Sequence, residues 1–448
     1  MKLKAMPFAP DVDSSLPCSL FGRTRWPFMS EHTLLQSIGR RTFLGALLAP
    51  TALAFGDWKE FRGDGSSVPG SDERLPQEWS DQTNISWNVA TPGYGQSSPV
   101  IFDHRVFVTC VEGVRKDTLI LSAFALSNGK ELWTHRAAPA QAIRDSDMIS
   151  KAAPTPAADR SGVYAFFETG NLVALDHQGQ VRWERRLTDE FGKFGGRHGI
   201  GSSLRLCQSG VMALVAHDGP SYLICVDRRT GETVWKTDRR SDVSWTTPAL
   251  ASHDGRELAL VSVGNRVEAY DTREGALIWT LGGFERALVA SPTPIPGGAI
   301  IGSSQKGWTG AIRFGDRSRS IPEIVWRASE ASSNFNSPLV HRSRVYMVNR
   351  VGVAFCLDLE TGQEIWHQRL KGPCWASTIG IGDFIYFFGV DGVVEVFRAA
   401  DMPVKIAENR LSAQSRLYGV AVENGRLVLR FGRRLACIRQ SRPAEQSS

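Results

Sequence analysis

Eight short triplets of small residues recur along the chain, and the residues just before them are of types that could do chemistry. The triplets are SSP (97–99), AAP (152–154), GSS (201–203), TTP (246–248), ASP (290–292), NSP (336–338), AST (376–378) and YGV (418–420). In the residues and loops that feed them lie Tyr94, Gln96, Met148, Arg197, His198, Trp245, Arg286, Asn334, Trp375 and Arg416. Aromatic, amide and guanidinium groups converging on a concavity could bind a planar, sugar-like or anionic ligand; a solvated rim is the plainer reading. His198 suits a rim hydrogen-bonder better than a catalytic base. Polysaccharide cleavage would need carboxylates across that mouth. Asp145, Asp147, Asp189 and Glu190 are the candidates for it. No GxSxG, HExxH or P-loop motif is present.

The elements that must position these residues come from an internal repeat. Trp87, Trp133, Trp183, Trp235, Trp279, Trp326 and Trp366 fall 40 to 52 residues apart. A repeat of this length means one supersecondary unit copied around a solenoid or a propeller. In the unit ending at Trp366, Ser337–His341, Arg344–Arg350, Val353–Leu359 and Gln363–Gln368 read as four short strands, apolar or alternating and bounded by turn residues. Four antiparallel strands per repeat around a channel make a β-propeller blade. Six units end at tryptophans from 133 to 366, and a seventh ends near Ile406 without its Gly and Trp. Leu417–Gln440 supplies only three strands, and Asn84–Val89 is the missing fourth. The expected fold is therefore all-β: an eight-bladed propeller closed by an N-terminal strand paired with the C-terminal blade, which leaves no free sheet edge at the seam.

The repeated tryptophans read as structural, because indoles at equivalent places bury large apolar areas between blades. Gly129, Gly179, Gly231, Gly275 and Gly362 each stand four residues before a tryptophan, in a turn that needs φ > 0. Ala125, Ala174, Cys225, Ala269, Cys356 and Cys437 read as equivalent small core positions in the third strand. No CxxC or adjacent cysteine pair supports a metal or disulfide framework.

The phrases CVDRRTGETVW and CLDLETGQEIW resemble the docking motif of PQQ-like propellers, a family that holds both quinoprotein dehydrogenases and BamB-type outer-membrane assembly lipoproteins. The resemblance runs from about Trp58 to Ile438, and DWKEFRGDGSS (57–67) is similar to the opening of exported bacterial members. It implies the fold strongly and the activity weakly, since enzymes and non-enzymes share it. For a dehydrogenase it implies PQQ over a calcium ion, a vicinal Cys-Cys disulfide and acidic calcium ligands. This chain has no Cys-Cys pair, no CxxCH haem site and no evident oxygen cluster for calcium. No cofactor is expected from these residues, with PQQ and calcium as the alternative.

Residues 1–54 read as a twin-arginine export signal, with Arg40–Arg41, an apolar stretch Phe43–Leu53 and a small-x-small site at Ala52–Ala54. Residues 1–28 would then be an upstream mis-called start, 55–83 an N-terminal extension, 84–440 the propeller and 441–448 a disordered tail. No cysteine follows Ala54 to carry a lipid, unlike the BamB lipoproteins. A periplasmic or extracellular monomer without a transmembrane span is expected. The net charge is +6, and the six Lys/Arg and three Asp/Glu of residues 1–54 leave about +3 for the rest. That mild, scattered charge argues against nucleic acid. The Arg62–Asp64 RGD and the sequon at Asn84 read as coincidence. The leading reading is a non-catalytic envelope scaffold that binds a protein, peptide or glycan. The alternatives are a PQQ-dependent oxidoreductase and a polysaccharide-acting enzyme.

Overall fold

The computed structural model describes residues 57–441 except 71–72, 114, 144–149, 318–319 and 413–414. The export signal, Asp145, Asp147, Met148 and the tail from 442 onward lie outside the described residues. Eight four-stranded antiparallel sheets follow one another along the chain. We number the blades by their inner strands: Val100–Phe102 for blade 1, Ala157–Asp159, Arg205–Cys207, Ala249–His253, Thr293–Ile295, Leu339–His341, Ile379–Ile381, and Leu417–Glu423 for blade 8. Inner strands of neighbouring blades touch, which places them around the axis. Blade 8 takes its outer strand, Ile85–Ala90, from the other end of the chain, with Trp87 opposite Cys437 and Val89 opposite Leu435. The eight-bladed, strand-closed propeller expected from the repeat is thus the observed fold.

The docking phrase works through a turn chemistry visible in its residues. Asp227 Oδ1 accepts from the Arg229 and Thr230 amides, and Gly231 N donates back to Asp227 O. Asp358 and Gly362 repeat this arrangement. Gly231 has φ +75°, and a Cβ on it would lie 2.6 Å from the Trp183 ring. Glycine is needed twice over: for the left-handed backbone and for the close approach. Six of the seven tryptophans dock on the turn of the following blade and donate Nε1 to a backbone carbonyl there. Trp87 reaches Leu126 O at 2.8 Å, Trp133 reaches His177 O, Trp183 reaches Arg228 O and Trp235 reaches Thr272 O. Trp326 and Trp366 reach Leu359 O and Ala400 O. Trp279 Nε1 has no partner among the described residues.

Two details of the repeat alignment shift. The small residue opposite Trp133 is Ala123, not Ala125; a register shift follows it, as it does beside Trp235 and Trp279. The triplets serve a chain of bonds around the ring: the Ser98 amide donates to Thr155 Oγ1, Thr155 to Ser203, Ser203 to Thr247, Thr247 to Ser291 and Ser291 to Ser337, each at 2.9–3.0 Å. The equivalent position is therefore central in most triplets but falls at Thr155 in blade 2 and Ser203 in blade 3. A Cβ at Gly419 would overlap Ser98, so the seam between blades 8 and 1 is equally tight.

Residues 57–83 form a strap across the end of the ring where the inner strands finish. Trp58 O accepts from Ile101 N in blade 1, and Lys59 O from Ala158 N in blade 2. The Glu60 carboxylate takes Arg205 Nη1 at 2.8 Å and Leu206 N at 2.7 Å in blade 3. Arg62 Nη2 donates to Pro338 O at 2.7 Å and to Thr293 Oγ1 at 3.1 Å, in blades 6 and 5. Ser67 O accepts from Gly380 N in blade 7, and Glu73 accepts from the Asn424 and Gly425 amides in blade 8. Trp79 then stacks on Tyr386. Arg62 is only 3% exposed and has φ 64°, so the RGD tripeptide is not an accessible loop.

Candidate functional site

Since the strap covers the end where the inner strands finish, the loops that feed them form the opposite mouth. Four of those loops bring aromatic rings into one arc. Phe335 lies 4.9 Å from Trp375, Trp375 lies 5.8 Å from Tyr418, and Tyr418 lies 6.1 Å edge-on from Tyr94. The Tyr94 and Tyr418 hydroxyls share a hydrogen bond. Burial, then that bond, pushes the Tyr94 phenol far above its ordinary range, so it stays un-ionised near neutrality. Two cations flank the arc. The Arg416 guanidinium stacks over the Trp375 ring at 4.5 Å, and Lys151 Nζ lies 5.8 Å over the Tyr94 ring. Gln96 clamps the Lys151 backbone, its Oε1 accepting from Lys151 N at 2.9 Å and its own amide donating to Lys151 O.

A second aromatic pair lies on other feeding loops. His198 is 5.7 Å from Trp245, whose Nε1 donates to Gly199 O. A Cβ on Gly201 would sit 3.1 Å from the Trp245 ring, which explains the small triplet residue there. Arg197 is exposed beside His198. Arg286 opens on a hollow of about 360 Å³ shared with Arg240, Asp242, Asn265, Arg266 and Glu285. There Arg266 is already bound by Asp242 and Glu268, each at 2.7 Å. Asn334 is half-buried next to Phe335.

The structure thus brings Tyr94, Gln96, Trp375 and Arg416 together, keeps His198 and Trp245 as a separate pair, and sets Arg286 in its own hollow. It adds Phe335, Tyr418 and Lys151, which the sequence reading passed over. Tyr418 had a signal: a bulky ring in a triplet otherwise made of small residues. Phe335 and Lys151 are direct neighbours of residues already singled out.

Among the described residues the two candidate carboxylates are engaged by neighbouring cations. Asp189 and Glu190 end the short helix Leu187–Glu190 and are bound to Arg186, Lys193 and Arg185. Hydrogen bonds from Arg186 and Lys193 hold the Asp189 carboxyl below the usual range, the wrong direction for a general acid. The buried acids outside the mouth are structural. Glu168 holds Lys116 at 3.3 Å and receives the Ala152 amide, which fixes the loop into blade 2.

A calcium-bound quinone does not fit these residues. Among the described residues no group of three or more His, Cys, Asp or Glu could hold a metal ion. The six described cysteines are buried and unbridged. Arg416 already covers one face of Trp375, where a fused-ring ligand would stack. No step is derived through such a group.

Fold and mouth define a docking-motif propeller with one covered end and one aromatic, cationic end. The chain belongs to the family described as outer membrane protein assembly factor BamB, whose model matches residues 71–197, 204–303 and 322–439. A BamB of Moranella endobia (strain PCIT) is 29% identical over 138 residues, 31% of this chain and 32% of that protein. The chain thus spans about a third of the length of the curated relatives it matches. Among solved structures, BamB of Moraxella catarrhalis superposes with a TM-score of 0.60 at 17% identity, over 81% of this chain and 99% of that one. A quinohemoprotein alcohol dehydrogenase from Comamonas testosteroni gives 0.60 at 12% identity, over 88% and 82%. At such identities these likenesses show the fold alone.

Proposed function

We propose that this chain is a non-catalytic binding propeller of the bacterial cell envelope, exported by the twin-arginine route and presenting its open mouth to a protein partner. The observation that supports it most is the mouth itself: rings and guanidinium groups set for contact, on the one end of the ring that the strap leaves free. Family membership supports the compartment and the protein partner, since the relatives are named as assembly factors of the outer membrane. No described helix is long and apolar enough to cross a membrane.

The test is a thermal melt of residues 55–448 with and without PQQ plus calcium, run beside an alcohol-oxidation assay. The expected result is no shift and no turnover. A ligand at a hundredfold over its Kd adds about 2.7 kcal/mol to folding stability, which a melt resolves. A clear shift together with dye reduction would replace this reading with the quinoprotein one.

A further inference from the structure

The aromatic arc of the open mouth carries two cations and no carboxylate. The Tyr94 and Tyr418 hydroxyls bond each other, and Gln96 Oε1 accepts from the Lys151 amide. None of the residues that make up the arc is a carboxylate; the described carboxylates Asp189, Glu190, Asp242 and Glu285 lie on other feeding loops. Lys151 and Arg416 flank the arc, and their charge favours negative ligands. Arg416 is exposed and makes no hydrogen bond or ion pair to any described residue, yet it is held in place by its stacking on Trp375. A guanidinium stacked by its face keeps its N–H fork at the edge, oriented for a carboxylate at little cost in side-chain entropy. Beside it Phe335 is 41% exposed, an unusual position for a phenylalanine packed on an indole.

A neutral sugar has no charge to match the two cations of the arc. Carboxylates beside an apolar side chain match both halves of the surface: the anions meet Arg416 and the basic rim, and the side chain meets Phe335 and Trp375. We propose that the mouth binds an extended acidic peptide segment carrying an aromatic or large aliphatic residue, with Phe335 and Trp375 as the apolar seat and Arg416 as the carboxylate clamp. This rests on the binding reading above and names its ligand class.

The test is calorimetric titration of residues 55–448 with a capped polyglutamate peptide bearing one central phenylalanine. Binding is expected, weakening as salt is added. Replacing the phenylalanine by serine, replacing the glutamates by lysine, or making Arg416→Glu should each weaken it by about tenfold or more. Phe335→Ala should act like the serine peptide. Arg416 and Phe335 are exposed, so both variants should melt like the parent. Equal affinity for the lysine peptide, or no loss in Arg416→Glu, would overturn the proposal, as would binding of sodium polygalacturonate in place of the peptide. A separate arm separates this from the binding reading. An envelope protein cross-linked to the parent and equally to Arg416→Glu would keep the scaffold and refute the acidic-peptide mouth.

Discussion

At the scale of single residues, two positions make sharp predictions. Glu423 is 3% exposed, its Oε2 has no partner, and Asp57, Glu73 and Asp103 are nearby anions. Burial first, then those charges, raise its carboxyl to about 7. The folded state therefore holds a proton that the unfolded chain has released. That contribution to stability is full below the ordinary carboxylate range and is lost as pH rises through about 7. Denaturant melts of the parent should weaken by roughly 3 kcal/mol between acid and neutral pH from this group. Glu423→Gln should flatten that slope, and an unchanged slope would refute the assignment. The docking glycines give the second case. At Gly231, Ala faces both the left-handed backbone and the Trp183 ring, and a loss of about 3 kcal/mol is expected. Gly264 has φ +58° and open space around its Cα, so Ala there should cost only about 1 kcal/mol. Equal losses in urea melts would show that contact with the indole does not matter.

At the scale of elements, the strap is the part that sequence patterning could not place. The blades were legible because alternation, turn residues and a repeated Trp all encode the same unit. The strap has no period of its own, and its role rests on Glu60 and Arg62 meeting residues 145 to 276 positions away. Such contacts leave no local mark. The same limit explains why the mouth was half legible: Trp375 and Arg416 stood out by type, but their stacking with each other and with Phe335 depends on three separate loops. The Ala125 and triplet offsets have a plainer cause, since a bulge or a loop one residue longer shifts the alignment by hand without disturbing the fold. Removing one partner of the buried Glu60–Arg205 pair leaves an uncompensated charge. Glu60→Ala should cost about 3 kcal/mol or more and open the strap to protease between Asp57 and Ser67. A variant as stable and as resistant as the parent would mean that the strap is not held by this pair.

At the scale of the whole molecule, the shared blade 8 closes the ring, the hydroxyl chain from Ser98 to Ser337 ties blades 1 to 6, and the strap crosses one end. Together they leave one mouth of the ring uncovered by the strap. The claim that this mouth is the working face can be tested directly. A photo-cross-linking amino acid is placed at Phe335 on the mouth, or at Arg342 on the strap-covered end, in the full chain expressed in its native envelope. The account predicts a discrete cross-linked protein from position 335 and none from position 342. Cross-links from position 342 alone would show that the strap-covered end does the binding, and would contradict the account.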